Sequence, residues 1–526
     1  MSEQRDFRTF FEAAVNEVPE RPYLISTVDG SVRTYGDIDT QINRAARAWL
    51  RLGVRRGDRV SFMLDNSPDF LVAWLGLAKI GGVLVAINTG FQEEEASYLV
   101  SDSESILVLS SQAYLPRIAD TSRFRHVRSI LTLEESETCD SFLACLEAES
   151  GSSILDSPSP RPDDLISLIY TSGTTGHPKG VMQTHENFVL TGEAYPHWMG
   201  MAPGDRIYAC LPLFHINTQA YSTMGAIGAH GAIVLAPRFS AREFWPDIRR
   251  HRVNVFNYIG AMAAILSKKD PAADDRQHAV KTAYGVPAPD HETRKALESR
   301  FGLTIISGFG MSETTFGLAE SLTGDRRPGS MGTPRHHPSL DVPRTEARIV
   351  DGKGADVPDG TTGELLLRNA AMMRGYFNDA ARTEEALDAR GWLHTGDNAW
   401  RDKDGFYYFV DRKKDIVRRR GENISSLEVE RVIERHPDVL EAAVIGVPSE
   451  LSDEEVLAYV VLRPGTALDP SAVIDHCATH LARFKIPRFV ELTDTLPKTP
   501  TAKVQKARLR MMSPAPHRYD HDAASR

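Results

Sequence analysis

The sequence predicts an α/β protein with a large N-terminal domain of two parallel-sheet α/β subdomains plus a small β-rich subdomain. A small α+β C-terminal domain follows. From about residue 35 to about 400, apolar runs with β-branched residues alternate with helical-looking stretches, and such alternation implies parallel sheets joined by crossover helices. Past residue 410 the pattern contracts to one helix and two long apolar strands, as in a compact α+β unit. A chain of 526 residues has room for both parts. The predicted bounds are 1–410 for the large domain, with its β-rich part at about 330–410, and 411–526 for the small one, with a frayed tail from about 513.

Each element follows from its local pattern. The opening MSEQRDFRTFFEAAVNEVPERP is charged and amphipathic, without the cationic start and apolar core of an export signal. YGDIDTQINRAARAWLRLGV reads as a helix and RVSFMLD as a strand. FLVAWLGLAKIGGVLVAI is interrupted by Lys79 and by Gly81–Gly82, which suits a buried helix turning into a strand better than a membrane span. ILVLSS, DDLISLIY, AIVLAP and LTIISGFG are further strands, and VMQTHENFVL is expected to open a helix. EARIVD, GELLLRN and GFYYFVD are short strands between Gly, Pro and Asp turns. After Asp411 come a basic run, a helix beginning near SSLEVERVIERH, and the strands EAAVIGV and VLAYVVL.

Composition bounds the function. With 41% hydrophobic and 25% charged residues the chain falls among soluble globular proteins, and its net charge of −10 argues against a general binder of nucleic acid or anionic membranes. Its four cysteines form no C-x-x-C pair and no metal-ligand spacing, so they read as reduced thiols of a cytoplasmic protein. Assembly as a homodimer is left open.

The stretch YTSGTTGHPKG, residues 170–180, sits between a predicted strand and a predicted helix. Its small, hydroxylated and glycine residues can wrap N–H groups, hydroxyls and one ammonium around a phosphate. It is not the hydrolase phosphate loop, because Lys179 precedes Gly180 and Val181 follows. A flexible solvated turn is the alternative reading. Further on, GFGMSETT places an aromatic ring, a hydroxyl and a carboxylate on one tight turn; WLHTGD ends in Asp397, DRKKD begins at Asp411, and PKTPTAKVQK carries Lys503.

Taken in order along nearly the whole chain, these motifs resemble the adenylate-forming superfamily of acyl-CoA synthetases, luciferases and adenylation domains. The surroundings of LPLFHIN, FSAREFW and RRRGENISS look closest to carnitine- and medium-chain-type acid:CoA ligases. The resemblance implies an ATP/AMP site that includes Thr171, Ser172, Gly173, Thr174, Thr175, Gly176, Lys179, Phe309, Gly310, Asp397 and Arg412. It gives Glu313, with Thr171, a Mg²⁺ contact and Ser312 a phosphate contact. Phe309 stands where the family usually has tyrosine, so stacking against adenine is kept and a phenol contact is lost. Lys503 matches the mobile catalytic lysine, preceded here by Ala502 rather than glycine, and Asp411 matches the hinge that makes the C-terminal domain mobile. His215, Asn217, Tyr221, Tyr258, Tyr284 and Gly285 are expected around the acid, with Tyr284 and Val286 narrowing the site.

The implied reaction is ATP-dependent acid:CoA ligation, with Mg²⁺ required and coenzyme A as co-substrate. An amine, a carrier protein or an inorganic oxyacid such as nitrite in place of the usual partners, or a catalytically silent nucleotide-binding scaffold, are the rival readings. Each residue also has a plain structural reading: Glu313 as a helix cap, Asp397 as a turn residue, Lys503 as a solvated cation, His215 as a satisfied buried ring. The basic run Arg412, Lys413, Lys414, Arg418, Arg419 and Arg420 is either a solvated face or a set of contacts to coenzyme A phosphates.

Overall fold

The apolar stretch at 70–87 divides into the helix Pro68–Lys79 and the strand Val83–Ala86. Ser67 caps the helix by accepting from Phe70 N, and Pro68 occupies the first turn, where its missing N–H removes no helical bond. Gly81 takes φ +75° in the connecting turn, a left-handed conformation that a side chain disfavours. Lys79 is buried, and its ammonium meets Asp39 at 2.7 Å, Glu12 at 3.0 Å and Asn43 Oδ1 at 2.8 Å. A cation so partnered belongs in a protein core. Among the described residues no helix is long and apolar enough to cross a membrane.

The computed structural model describes the chain apart from residues 1–3, 119, 155–157, 172–177, 287–290, 413–414, 420–421, 450–453, 482, 500–502, 513–517 and 522–526. It is an α/β protein of two compact units, Met1–Ala347 with Leu367–Leu393, and Arg348–Leu366 with His394–Arg526.

The first unit holds two sheets. One has seven strands, with Arg59–Met63 between Leu107–Ser110 and Val83–Ala86; its pairs are parallel except the last, Leu165–Thr171 against Lys179–Thr184. The second runs in parallel through Pro22–Ser26, Ala232–Leu235, Arg206–Ala209, Val255–Ile259, Thr282–Val286 and Thr304–Met311, then turns antiparallel through Thr314–Ala319 and Ser330–Pro334. Helices Tyr35–Arg51, Pro68–Lys79 and His185–Met199 contribute to one core around Trp49, Phe62, Trp74 and Phe188. Asn66 links the sheets by donating to the carbonyls of Leu211 and Ala236. The stretch 181–190 departs from expectation at its start: antiparallel pairing holds it as a strand to Thr184, which then caps the helix by accepting from Asn187 N.

The second unit carries most of the ladder Glu346–Val350, Gly363–Arg368, Leu393–Arg401 and Tyr407–Arg412. Beyond it come the hairpin Ile416–Arg419 and Glu422–Ser425, the helix Ser426–Glu434, and a sheet of Val439–Pro448, Glu454–Leu462, Phe489–Leu492 and Tyr519–Asp520. Of the tail expected to fray from 513, residues 518–521 are described, and these are paired. Tyr519 pairs with Val490, Arg518 Nε meets Glu491 at 2.5 Å, and Arg488 meets Asp520 at 3.1 Å.

Candidate active site

The antiparallel pairing of Leu165–Thr171 with Lys179–Thr184 sets Thr171 opposite Lys179, so the two ends of the glycine-rich loop stand side by side. Ser172, Gly173, Thr174, Thr175 and Gly176 lie outside the described residues. Thr171 Oγ1 is buried and has no hydrogen-bond partner among the described residues.

Glu313 occupies the turn between the paired strands Thr304–Met311 and Thr314–Ala319, with its carbonyl accepting from Met373 N at 2.7 Å. Its side chain is buried, and Oε1 accepts from the Tyr376 hydroxyl at 2.8 Å. Lys179 Nζ lies 3.4 Å from the same oxygen, donates to the Tyr376 hydroxyl, and stands 3.9 Å from the Tyr376 ring centroid. Burial, then the adjacent Glu313 charge, push the phenol well above its ordinary pKa. Tyr376 therefore keeps its proton and holds the carboxylate in place. Sequence reasoning missed this residue, because a tyrosine in RGYFNDAART has no pattern to mark it.

Ser312 is fixed through its carbonyl, which accepts from Gln183 Nε2 at 2.6 Å. Phe309 is buried, and Gly310 lies close to the predicted acid-binding residues: a Cβ there would approach the Tyr221 hydroxyl to 3.3 Å and the Tyr284 hydroxyl to 4.0 Å. Tyr221 donates to Thr315 O at 2.8 Å, stacks on Tyr195 with centroids 5.6 Å apart, and meets Tyr284 edge-on at 5.8 Å. His215 packs its ring against Phe214, and Asn217 Oδ1 is buried without a hydrogen-bond partner among the described residues.

Tyr258 does not join this group. Parallel pairing sets Tyr258 beside Gly285 and Asn257 beside Tyr284, and side chains alternate along a strand, so Tyr258 and Tyr284 project from opposite faces. Tyr258 lines an apolar cavity with Trp245, Phe256, Leu266 and Phe301, and a Cβ on Gly285 would run into the Tyr258 ring at 2.6 Å. The face bearing Tyr221 and Tyr284 instead receives Arg335, a second residue that no motif announced.

In the second unit, Asp397 is buried and lies 3.7 Å from Arg412 Nε. Much of the Lys503 residue is open to solvent, but protein crowded around its ammonium removes hydration and, with the Arg412 charge second, holds it below the ordinary lysine range, with Asp397 opposing. Asp411 accepts from Ser426 Oγ at 2.7 Å, Ser425 Oγ at 3.3 Å, Leu427 N at 3.2 Å and its own neighbour Arg412 N at 2.7 Å. It therefore anchors the N-terminus of the helix Ser426–Glu434, where backbone N–H groups favour an anion. Of the basic run, Arg419 is buried, meets Glu455 at 2.5 Å and donates to the carbonyls of Phe484 and Ile486, so it serves the core of this unit. Lys413, Lys414 and Arg420 lie outside the described residues.

These clusters supply cations, hydroxyls and carboxylates suited to phosphates and a ribose, and comparison with known proteins decides the family. The model of the AMP-binding enzyme family matches residues 11–377, and that of the AMP-binding enzyme C-terminal domain matches 428–503. The chain belongs to the AMP-binding enzyme family. A crotonobetaine/carnitine–CoA ligase of Salmonella arizonae is 34% identical over 488 residues, which cover 91% of this chain and 93% of that protein. The crystal structure of the anthranilate CoA ligase AuaEII with anthranoyl-AMP superposes with a TM-score of 0.87 at 26% identity, covering 97% of this chain and 98% of that one. ATP-bound MatB from Rhodopseudomonas palustris gives 0.86 at 25% identity, covering 96% and 98%. This AMP-binding enzyme thus shares its family and its fold with CoA ligases over nearly its whole length.

Proposed function

We propose that this AMP-binding enzyme is an ATP-dependent acid:CoA ligase. It activates a small or medium organic carboxylate as the acyl-adenylate with release of pyrophosphate, then forms the thioester with release of AMP. The observation that carries the reading is the Lys179–Tyr376–Glu313 cluster beside Thr171, in a chain whose relatives include CoA ligases. In the first half-reaction a substrate carboxylate oxygen bonds to the α-phosphorus of ATP and the bond to pyrophosphate breaks. Lys179 offsets charge on the phosphates, assisted by Thr171 and the loop that follows it.

The buried carboxylate of Glu313 and the unpartnered hydroxyl of Thr171 are hard oxygen donors, and they fit a Mg²⁺ that arrives with the nucleotide. Among the described residues no group of three or more His, Cys, Asp or Glu could hold a metal by itself, as suits an ion carried partly by phosphate oxygens. When bound, the ion supplies charge neutralisation of the phosphates. Asp397 accepts from the ribose hydroxyls with Arg412 beside it, Phe309 stacks on adenine, and Lys503 serves the reacting carboxylate. Rotation about Asp411 then exchanges adenylation for thioester formation.

In the second half-reaction the coenzyme A sulfur bonds to the acyl carbon and AMP leaves. Cys210 and Cys477 are buried, and burial pushes both thiols up to about 12, which suits direct transfer to coenzyme A without an enzyme thioester on either. The test is acid-dependent pyrophosphate release across an acid panel, with AMP and thioester followed with and without coenzyme A. Thioester that requires all three substrates is expected. Pyrophosphate release with product independent of coenzyme A would overturn the assignment of acceptor.

A further inference from the structure

Arg335 follows the strand Ser330–Pro334, and its N–H donates to Gly317 O at 2.9 Å, which fixes the backbone from which the side chain turns inward. Its side chain is almost wholly enclosed, the residue being 4% exposed. Among the described residues no carboxylate pairs with the guanidinium, and Nε, Nη1 and Nη2 make no well-formed hydrogen bond; the Tyr284 and Tyr221 hydroxyls are the polar groups that approach it, too poorly aligned to satisfy its donors. The guanidinium instead lies 4.5 Å from the Trp198 ring, 4.6 Å from that of Tyr284 and 5.8 Å from that of Tyr221. A Cβ on Gly308 would come within 3.2 Å of Nη2 and 3.1 Å of the Tyr284 ring, so the cation reaches the strand that carries Gly310 and leads into the Glu313 turn.

The other buried arginines among the described residues are neutralised. Arg294 has Glu320 at 2.7 Å, and Arg419 has Glu455 at 2.5 Å. Stacking on aromatic faces offsets part of the desolvation of a guanidinium, yet it satisfies none of the five donors in the plane of the fork. A buried charge whose donors are unspent is costly unless a partner arrives. The aromatic box is also already filled by a cation, so a quaternary-ammonium acid would meet like charge there.

We propose that Arg335 is the specificity-determining residue of the acid pocket, and that the acid substrate carries a second anionic group at its far end. A dicarboxylate is the simplest such class, its distal carboxylate docking on the Arg335 guanidinium in a bidentate pair while the other carboxylate attacks ATP. This rests on the acid:CoA ligase reading.

The test compares dicarboxylates from malonate to adipate with monocarboxylates and trimethylammonium acids of matched length. Pyrophosphate release and calorimetric binding of the dicarboxylates are both measured, for the wild type, Arg335→Met and Arg335→Lys. The wild type is expected to favour a dicarboxylate over its monocarboxylate counterpart by about a hundredfold in kcat/KM, and Arg335→Met to lose about that factor for the dicarboxylate alone. Arg335→Lys keeps the charge and should retain part of the preference, and it carries the test if the methionine variant does not fold. Wild-type preference for neutral or cationic acids, or equal losses for all acids in Arg335→Met, would overturn the proposal. Dicarboxylate binding that depends on Arg335 without pyrophosphate release from any acid would uphold the anion site and overturn the ligase reading; absence of both would overturn the two together.

Discussion

At the scale of single residues, Glu313 is defined by what surrounds it. One oxygen receives the Tyr376 hydroxyl at 2.8 Å and faces the Lys179 ammonium at 3.4 Å, and the carboxylate itself is buried. Replacing the carboxylate by an amide removes the charge that would hold a divalent ion, so Glu313→Gln is expected to lower pyrophosphate release strongly and to weaken its dependence on Mg²⁺. Tyr376→Phe removes only the donor that orients that oxygen, and a loss of about tenfold is expected, the scale of one hydrogen bond to a charged group. Because both act at one atom, the double variant should fall short of the product of the two losses. Pyrophosphate release against metal concentration for the three variants measures this, and strict multiplicativity would separate Tyr376 from Glu313.

At the scale of elements, the hairpin of Thr304–Met311 with Thr314–Ala319 depends on a glycine. A Cβ on Gly317 would fall 1.9 Å from Phe309 O, and that backbone atom cannot turn away as a side chain would. Gly317→Ala is expected to cost about 1 to 3 kcal/mol through forced displacement of the strands. Gly352→Ala, where a Cβ would meet nothing within 4 Å, should stay close to neutral. Thermal or denaturant unfolding of the two variants makes the comparison. The helix Ser426–Glu434 carries a pH-dependent element of its own. Burial pushes Glu430 up to about 7, although Lys506 lies 2.7 Å away and Val444 N donates to it. Its folded value lies above the ordinary one, so its contribution to stability is full below about pH 4.5 and is lost as pH rises through about 7. The stability of the wild type relative to Glu430→Gln should therefore decline between about pH 5 and about pH 8, by at most about 3 kcal/mol. Unfolding midpoints at a series of pH values test this, and a flat difference would remove Glu430 as the titrating group.

At the scale of the whole molecule, the two half-reactions should separate by mutation. The Lys503 ammonium is biased toward easier deprotonation by loss of hydration first and by the Arg412 charge second, and in the proposed mechanism it serves adenylation alone. Lys503→Ala should suppress adenylation by about a hundredfold or more. The same variant, supplied with chemically made acyl-adenylate, should form thioester at a rate near that of the wild type. Equal damage to both steps would make Lys503 a structural residue. Asp411 receives Ser425, Ser426 and Leu427, so substitutions there will disturb the helix they begin as well as any rotation. That is why Lys503 is the cleaner probe.

The sequence by itself determined the fold class and the family. Both live in local patterns: strand and helix periodicities, the turn of GFGMSE, and the loop whose ends meet as Thr171 and Lys179. Such features need only neighbouring residues to be recognised. The tertiary structure alone decided which side chains face one another. Tyr258 and Tyr284 read alike along the chain, yet strand register sends them to opposite faces of one sheet. Arg419 reads along the chain as one member of a basic run, yet Glu455 meets it at 2.5 Å. Arg335 and Tyr376 carried no motif, because a buried cation without an acceptor and a phenol held between an acid and a base are properties of their surroundings. Those surroundings are assembled from strands and helices far apart in the chain, and packing rather than periodicity brings them together.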